Sequence, residues 1–317
     1  MTNITIGVDI SKDHLDAHRL PDGNTEQFAN TPHGHKAFMA WAGDDVNRIV
    51  YEPTGPYHRA FEAMCATAGL PLCKINPLQA RRFAQAIGTR AKTDCVDAAL
   101  LAHMGLTLDL DPTPIADKAL RDLKELRQVY QALIAERTRL RNRLKTLTIT
   151  LVKRRHDQRL KRIALEMNEI IDAIMARIEA DPAMAQRFAV IASIPGLGPI
   201  AAMTLIIEMP ELGKLDAKQV ASLAGLAPMT RQSGQWHGKA RTIGGRKPLR
   251  DALYMPALVA CRHNPDMAAK YQAFIAAGKP AKLAITAIMR KLIVLANALV
   301  KDNRKWQPKT ALSKRIL

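Results

Sequence analysis

Ile4-Thr5-Ile6-Gly7-Val8-Asp9-Ile10 alternates and is rich in β-branched residues, which predicts a β-strand. Its carboxylate, Asp9, is flanked by Val8 and Ile10, where a charge is costly unless water, a cation or a partner satisfies it. Leu15 to Leu20 reads as the antiparallel partner of this strand. Arg48-Ile49-Val50-Tyr51-Glu52 is another strand, ended by Pro53-Thr54-Gly55-Pro56, and Tyr57 to Ala68 has helical spacing. Leu72 to Ile75 reads as a short buried strand stopped by Asn76-Pro77, and Ala80 to Gly105 as largely helical with a break near Gly88. Strands alternating with helices predict an α/β layer fold for residues 1–113.

Between Pro114 and Pro182 the chain has neither glycine nor proline, which predicts long helices over residues 114–183. Leu123, Leu126, Tyr130, Leu133, Leu140, Leu144, Leu147 and Leu151 follow alternating three and four spacings, with Arg137 as the polar intruder, a coiled-coil pattern. A second seam, Leu160, Ile163, Met167, Ile170 and Ile174, is out of phase with the first, and basic Lys153 to Arg162 lies at the break. Two packed helices and a stutter both fit, and the leucines suit a dimerising arm or a bundle core equally.

Residues 184–317 are expected to be mostly helical. There Ile194-Pro195-Gly196-Leu197-Gly198-Pro199 opens an apolar helix. Free backbone N–H groups at such a turn can hold a phosphate oxygen, which makes Gly196 and Gly198 candidate contacts to nucleic acid. The turn resembles the hairpin of helix-hairpin-helix modules, although Pro-Gly-x-Gly also marks plain turns between helices. A polar, glycine-bearing loop runs from Pro228 to Pro248 before helices resume at Leu249.

The formal net charge is +18, and it is unevenly spread. Residues 1–112 carry 10 Lys+Arg against 13 Asp+Glu, residues 120–162 carry 14 against 4, and residues 163–317 carry 22 against 11. A field of that sign attracts polyanions and releases counterions from phosphate backbones, which favours nucleic acid as the partner. No uninterrupted apolar run approaches the ~18 residues of a membrane span, Leu292 to Val300 being the best candidate. Cys65, Cys73, Cys95 and Cys261 form no C-x-x-C pair, and no secretory leader pattern is read, so a reduced, cytoplasmic setting is expected.

Asp9 and Glu52 belong to two strands, and Asp94 and Asp97 stand three apart on one face of a helix in Lys92-Thr93-Asp94-Cys95-Val96-Asp97-Ala98. Carboxylates gathered in a basic nucleic-acid binder suit hard, oxygen-seeking Mg²⁺ (or Mn²⁺), a pair of which can act on both oxygens of a phosphodiester. Taken singly, each acid also reads as a surface or capping residue. Gly7-Val8-Asp9-Ile10-Ser11, Tyr51-Glu52-Pro53-Thr54-Gly55 and the Asp94 to Asp97 segment together resemble the Asp, Glu, Asp, Asp motif of DEDD insertion-sequence transposases. Pro53 stands where that family more often has a small residue. The resemblance implies a RuvC-like domain of ribonuclease-H type in which Asp9, Glu52, Asp94 and Asp97 ligate the metal.

A second block is similar to the other catalytic domain of that family: Leu223-Ala224-Gly225-Leu226-Ala227-Pro228, Ser233-Gly234, Gly238, Ile243-Gly244-Gly245 and Leu249 to Ala257. The resemblance implies that Ser233 is a nucleophile; without it, a serine before glycine in a polar loop is a turn residue. A serine hydroxyl needs cations on the phosphate and an acceptor for its proton. Arg231, Lys239, Arg241, Arg246, Lys247 and Arg250 supply charge nearby, with Lys153, Arg154 and Arg155 further off, and His237 is a candidate proton carrier.

The resemblance further implies target and donor DNA as substrates, a structured bridge RNA as guide, and a homo-oligomer, dimer or tetramer. Piv-type DNA invertases share these motifs. A junction-resolving nuclease would use the acids and water without Ser233, and a non-catalytic descendant would use neither. Sugar and acetate kinases share the Gly7-Val8-Asp9 opening but need further phosphate loops and lack a basic coiled coil.

Overall fold

The computed structural model describes residues 3–53, 55–88, 94–113, 117–230, 232–234, 236–238 and 240–308, with only the backbone described at 94–96, 236 and 237. The chain divides into two compact units, Met1–Ala116 and Asp117–Leu317.

The first unit is a five-stranded mixed sheet with helices on both faces. Strands β1 (Ile4–Ile10), β2 (His14–Leu20) and β3 (Asn24–Ala29) form an antiparallel meander. Helix α1 (Pro32–Ala42) then leads to β4 (Val46–Tyr51), which pairs parallel with β1. Helix α2 (His58–Thr67) returns the chain to β5 (Leu72–Lys74), parallel to β4, giving the order β3-β2-β1-β4-β5. Alternation divides the strands between two cores. Ile6, Val8, Ile10, Ile49 and Tyr51 pack with Phe38 and Phe61 of α1 and α2 on one face. Val50 and Cys73 pack on the other with Ala80 of α3 (Pro77–Ala86) and Leu101 and Met104 of α4 (Asp94–Thr107).

The expected strands and helices are present, with two additions. β3 is an edge strand in which Phe28 alone is buried, so it shows no alternation. α1 is capped by Thr31, whose hydroxyl accepts from the Gly34 amide at 3.3 Å, with Pro32 in the first helical position.

The second unit opens with α5 (Lys118–Leu144) and α6 (Thr150–Ala180), a long helical hairpin. Leu123, Tyr130 and Leu140 of the first seam bury against Ile163, Met167, Ile174 and Ile178, so the leucines meet a partner within the same chain. Each such side chain, fully buried, stabilises by about 1.5–3 kcal/mol. The seam stops at Leu144 because Thr146, Thr148, Ile149 and Thr150 are β-branched and poor helix formers, which accounts for the phase break.

Helices α7 (Pro182–Ala192), α8 (Pro199–Glu208) and α9 (Ala217–Leu223) follow, then four two-residue strands, β6 (Pro228–Met229), β7 (Gln232–Ser233), β8 (Trp236–His237) and β9 (Arg241–Thr242). Helices α10 (Lys247–His263), α11 (Pro265–Ala276) and α12 (Ala281–Lys301) close the unit around a core of Leu205, Ile206, Leu253, Ile288, Leu292 and their neighbours. By length and composition α12 would cross a membrane, yet half of its most apolar window is buried in this core.

Candidate active site and nucleic-acid interface

The position of the acids follows from one close packing. A Cβ on Gly7 would collide with the carbonyl oxygen of Ala98 and the amide of Ala102, so α4 lies on β1 with only glycine between them. Gly105, further along the helix, lies against Thr5 and Val50, with Thr5 Cγ2 3.0 Å from where a Cβ would stand. Ala98 is thus above Gly7 and Gly105 above Thr5, which means that α4 runs antiparallel to β1. Its N-terminal turn, carrying Asp97, lies toward the carboxyl end of β1, where Asp9 stands two residues beyond Gly7 on the same face.

Glu52 is brought to the same end by the parallel pairing of β4. Val8 is opposite Tyr51, so Asp9 and Glu52 are each one residue further on. Val50 faces Gly105 beneath α4, and Glu52, two residues later, follows directly on β4, which ends at Tyr51, one residue short of the expected strand. Asp9, Glu52 and Asp97 are all half-buried. The backbone of Asp94 opens α4 one turn before Ala98, while its side chain lies outside the described residues.

The sheet adds an acid that the sequence did not single out. Asp16 of β2 is directly opposite Asp9 and accepts a hydrogen bond from Gln27 Nε2 at 2.8 Å. Like charges directly across an antiparallel pair repel, so this face favours a cation. His18, opposite Gly7, stacks on His103 of α4 with ring centroids 6.5 Å apart, and its Nδ1 is 2.8 Å from Thr25 Oγ1. Burial, and then the neighbouring His103, hold the His18 pKa below its ordinary value. Half-buried carboxylate oxygens at strand ends and in a helix first turn are the donor set that Mg²⁺ or Mn²⁺ takes. Among the described residues no three His, Cys, Asp or Glu side chains already stand close enough to hold an ion.

Ser233 sits at the tip of a β-ribbon. Pro228 pairs with Thr242 and Met229 with Arg241 at its foot, and Gln232 pairs with His237 and Ser233 with Trp236 at its end. The two ladders differ in register by one residue. Gly234 turns the chain with φ 55°, and Ser233 is exposed. The foot is anchored by backbone contact: an added Cβ on Gly245 would overlap the Gly225 backbone, and the Arg246 amide donates to the Leu223 carbonyl at 2.7 Å.

The candidate cations fall into several environments. Arg246 makes a two-pronged ion pair with Glu211, at 2.9 Å to Oε2 and 2.7 Å to Oε1, and also donates to the Glu208 carbonyl. Burial pushes the Glu211 carboxyl up, but the Arg246 hydrogen bonds and charge outweigh it and leave its pKa below the ordinary value. Lys247 pairs with Asp251 at 2.5 Å, and Arg250 donates to the Gly244 carbonyl. Arg241 is exposed on β9, whereas Arg231, Lys239 and the side chain of His237 lie outside the described residues. Lys153, Arg154 and Arg155 are exposed near the N-terminus of α6, the wrong end of a helix dipole for cations and thus a place where an anion is welcome.

Gly196, with φ 106°, packs against α10, where an added Cβ would stand 2.8 Å from Ala260 Cβ and 2.9 Å from the Pro256 carbonyl oxygen. Gly198 is the exposed N-cap of α8, with open space around it and no side-chain cap.

Two family models match this chain. A transposase model of the DEDD IS110 type covers residues 6–151, and the model described as transposase, IS116/IS110/IS902 family, covers residues 188–272. The pilin gene-inverting protein of Moraxella bovis is 30% identical over 322 residues, spanning 96% of this chain and 98% of that protein. That of Moraxella lacunata is as similar. A protein of insertion element IS110 from Streptomyces coelicolor is 29% identical over 136 residues, spanning 42% of this chain and 33% of that protein. The chain therefore belongs to the IS116/IS110/IS902 family of transposases and is a DNA transposase or recombinase.

Proposed function

We propose that this enzyme cuts and rejoins DNA with Ser233 as the covalent nucleophile and with Asp9, Glu52, Asp94 and Asp97 as the ligands of Mg²⁺ or Mn²⁺. The observation that carries the reading is the antiparallel crossing of α4 on β1 at Gly7, which turns the first turn of α4 toward Asp9 and Glu52. The strand order β3-β2-β1-β4-β5, with a parallel β1–β4 pair, supports a ribonuclease-H-type, RuvC-like domain. In this reading residues 1–113 hold the metal, 114–183 form the arm and 184–317 carry the serine.

When bound, the metal would supply Lewis acidity and charge neutralisation at a phosphodiester. The chain's own residues do the rest. Ser233 Oγ attacks phosphorus, the P–O bond to one DNA hydroxyl breaks, and the phosphate stays esterified to the serine. The serine proton passes to a base, for which His237 is the candidate, and the departing DNA oxygen takes up a proton. Because one phosphate ester replaces another, a hydroxyl of a second strand can reverse the step without an external energy source. Arg241 lies on the ribbon itself and faces solvent, as a phosphate-holding group must.

Exposed Lys153, Arg154 and Arg155, on a helix start that favours anions, support a nucleic-acid role for the arm, with a structured bridge RNA as guide. Exposed Ile149 and Leu151 at the hairpin tip support assembly of a homo-oligomer through the arm. A denaturing gel of protein with cleaved DNA tests the central claim. A retarded protein–DNA band is expected in the wild type and absent in Ser233→Ala; cleavage that persists in Ser233→Ala would instead establish a junction-resolving nuclease.

A further inference from the structure

We propose that a cleft at the foot of the serine ribbon holds an unpaired DNA strand leading to Ser233, an inference that rests on the reading of Ser233 as nucleophile. The cleft, of about 570 Å³, lies between α9, the β6–β9 ladder, α11 and α12. One wall is a single stripe of α12, Leu283, Thr286, Ala287, Arg290, Lys291 and Val294, at helical spacings of three and four. The opposite side of the same helix, with Ile285, Ile288 and Leu292, is already buried in the core, so this stripe is a second, separate face.

The chemistry of the lining selects the occupant. Lys218 and Lys279 join Arg290 and Lys291, and among the described residues neither aspartate nor glutamate lines the cleft. Among the described residues none of these four cations has an ion-pair partner. Four like charges around one cleft repel each other unless a polyanion joins them. The rest of the lining is largely apolar: Leu226, Pro228 and Val294 belong to it, Leu283 is 54% exposed, and Lys279 Nζ is held 4.4 Å over the Phe274 ring.

Cations set among apolar side chains suit a nucleic-acid strand whose phosphates meet the cations and whose bases meet the apolar groups. A duplex keeps its base faces stacked inside and cannot offer them. DNA is the occupant because Pro228 and Thr242, which line the cleft, are themselves the foot of the ribbon. Ser233 lies four residues beyond Met229 in the same ribbon, whose two ladders both fall within residues 228–242. A strand seated in the cleft therefore lies at the foot of the ribbon that carries the serine. A second copy of the chain would bring the same positive surface and is disfavoured.

Fluorescence anisotropy with the full chain tests this, using labelled oligothymidylate, oligouridylate and a mixed-sequence duplex. The double variant Arg290→Glu/Lys291→Glu is expected to bind oligothymidylate about tenfold or more weakly, with a salt slope lower by roughly 1.4, while duplex binding changes less than about twofold. Leu283→Asp alters an exposed position and is expected to weaken oligothymidylate binding with duplex binding likewise little changed, and it decides the matter if the double variant does not fold. Equal weakening of duplex and single strand, or no change in either, overturns the proposal. So does tighter binding of oligouridylate that the variants abolish, which would make RNA the occupant. A shift in sedimentation without a change in DNA affinity overturns it in favour of a second copy. Oligothymidylate binding involves no covalent step, so Ser233→Ala is expected to bind as the wild type does. Failure of the nucleophile reading would appear only on the denaturing gel.

Discussion

Gly7 of β1 and Ala98 of α4 are in backbone contact, with no room for even a methyl group between strand and helix. Gly7→Ala is therefore expected to lift α4 from the sheet, costing about 1–3 kcal/mol or more through overpacking. Thermal denaturation should show a melting point several degrees lower, with DNA cleavage falling further than the loss of folded protein explains. An unchanged melting point would mean that the helix does not sit as described.

Asp9→Asn and Glu52→Gln keep side-chain volume while removing charge. Both are expected to abolish the covalent protein–DNA product and to leave DNA affinity within about twofold, because phosphate contacts by Lys and Arg carry that affinity. The wild type is also expected to gain thermal stability with added Mg²⁺, as any ligand of the folded state confers, and each variant to gain less. Calorimetric scans across a metal titration would show it.

Arg246 and Glu211 tie the foot of the ribbon to the segment after α8. Their side chains remain 34% and 39% exposed, so Arg246→Met is expected to cost only about 1 kcal/mol in global stability. Its larger effect should be local: faster amide exchange through residues 228–246 and slower covalent-complex formation. Arg246→Lys would not restore the rate, since a point charge cannot grip both carboxylate oxygens. Because Glu211 has a lowered pKa when folded, its contribution is present above the ordinary carboxylate range and is lost as pH falls through the folded value. Exchange protection of the ribbon should fade in that acidic window.

His18 and His35 both have pKa values held below the ordinary 6.5, His18 by burial and then by His103, His35 by burial. The unfolded chain then binds more protons than the folded one as pH falls below 6.5. Stability of the first unit is expected to be full above that pH and to decline as pH falls toward the folded values. Urea unfolding between neutral and mildly acidic pH would measure the slope, and His18→Gln should flatten it. A slope of opposite sign would contradict the burial of these rings.

Replacing Lys153, Arg154 and Arg155 by Gln is expected to leave the α5–α6 hairpin folded, because all three are exposed. If each meets a phosphate, the salt slope of nucleic-acid binding should fall by roughly 2–3. An unaltered slope would take the arm out of the interface.

The parts of the fold that were legible in the sequence are those where burial repeats at short range. β1 and β4 announced themselves through β-branched alternation, and the hairpin through its leucines, although only the β-branched Thr146, Thr148, Ile149 and Thr150 explain why their phase breaks. β3 was invisible because an edge strand with Phe28 as its one buried residue has no period. α1 did carry a readable signal, Thr31-Pro32. Within the candidate site, the order of the acids was readable, whereas Asp16 joins them only through the pairing that sets it against Asp9. The two-residue strands of the ribbon are too short for any periodicity. The tie between Arg246 and Glu211 spans 35 positions and leaves no local trace.

The two-residue rhythm of β-structure sets a rule for how the ribbon that carries Ser233, the proposed nucleophile, can change length. Inserting one residue in each strand would turn the hydroxyl to the opposite side of the ribbon, whereas inserting two in each would preserve its side and advance it by roughly 7 Å. Relatives whose ribbons differ in length should therefore differ by even steps per strand, and the reach of the ribbon becomes a quantity that evolution adjusts in discrete increments.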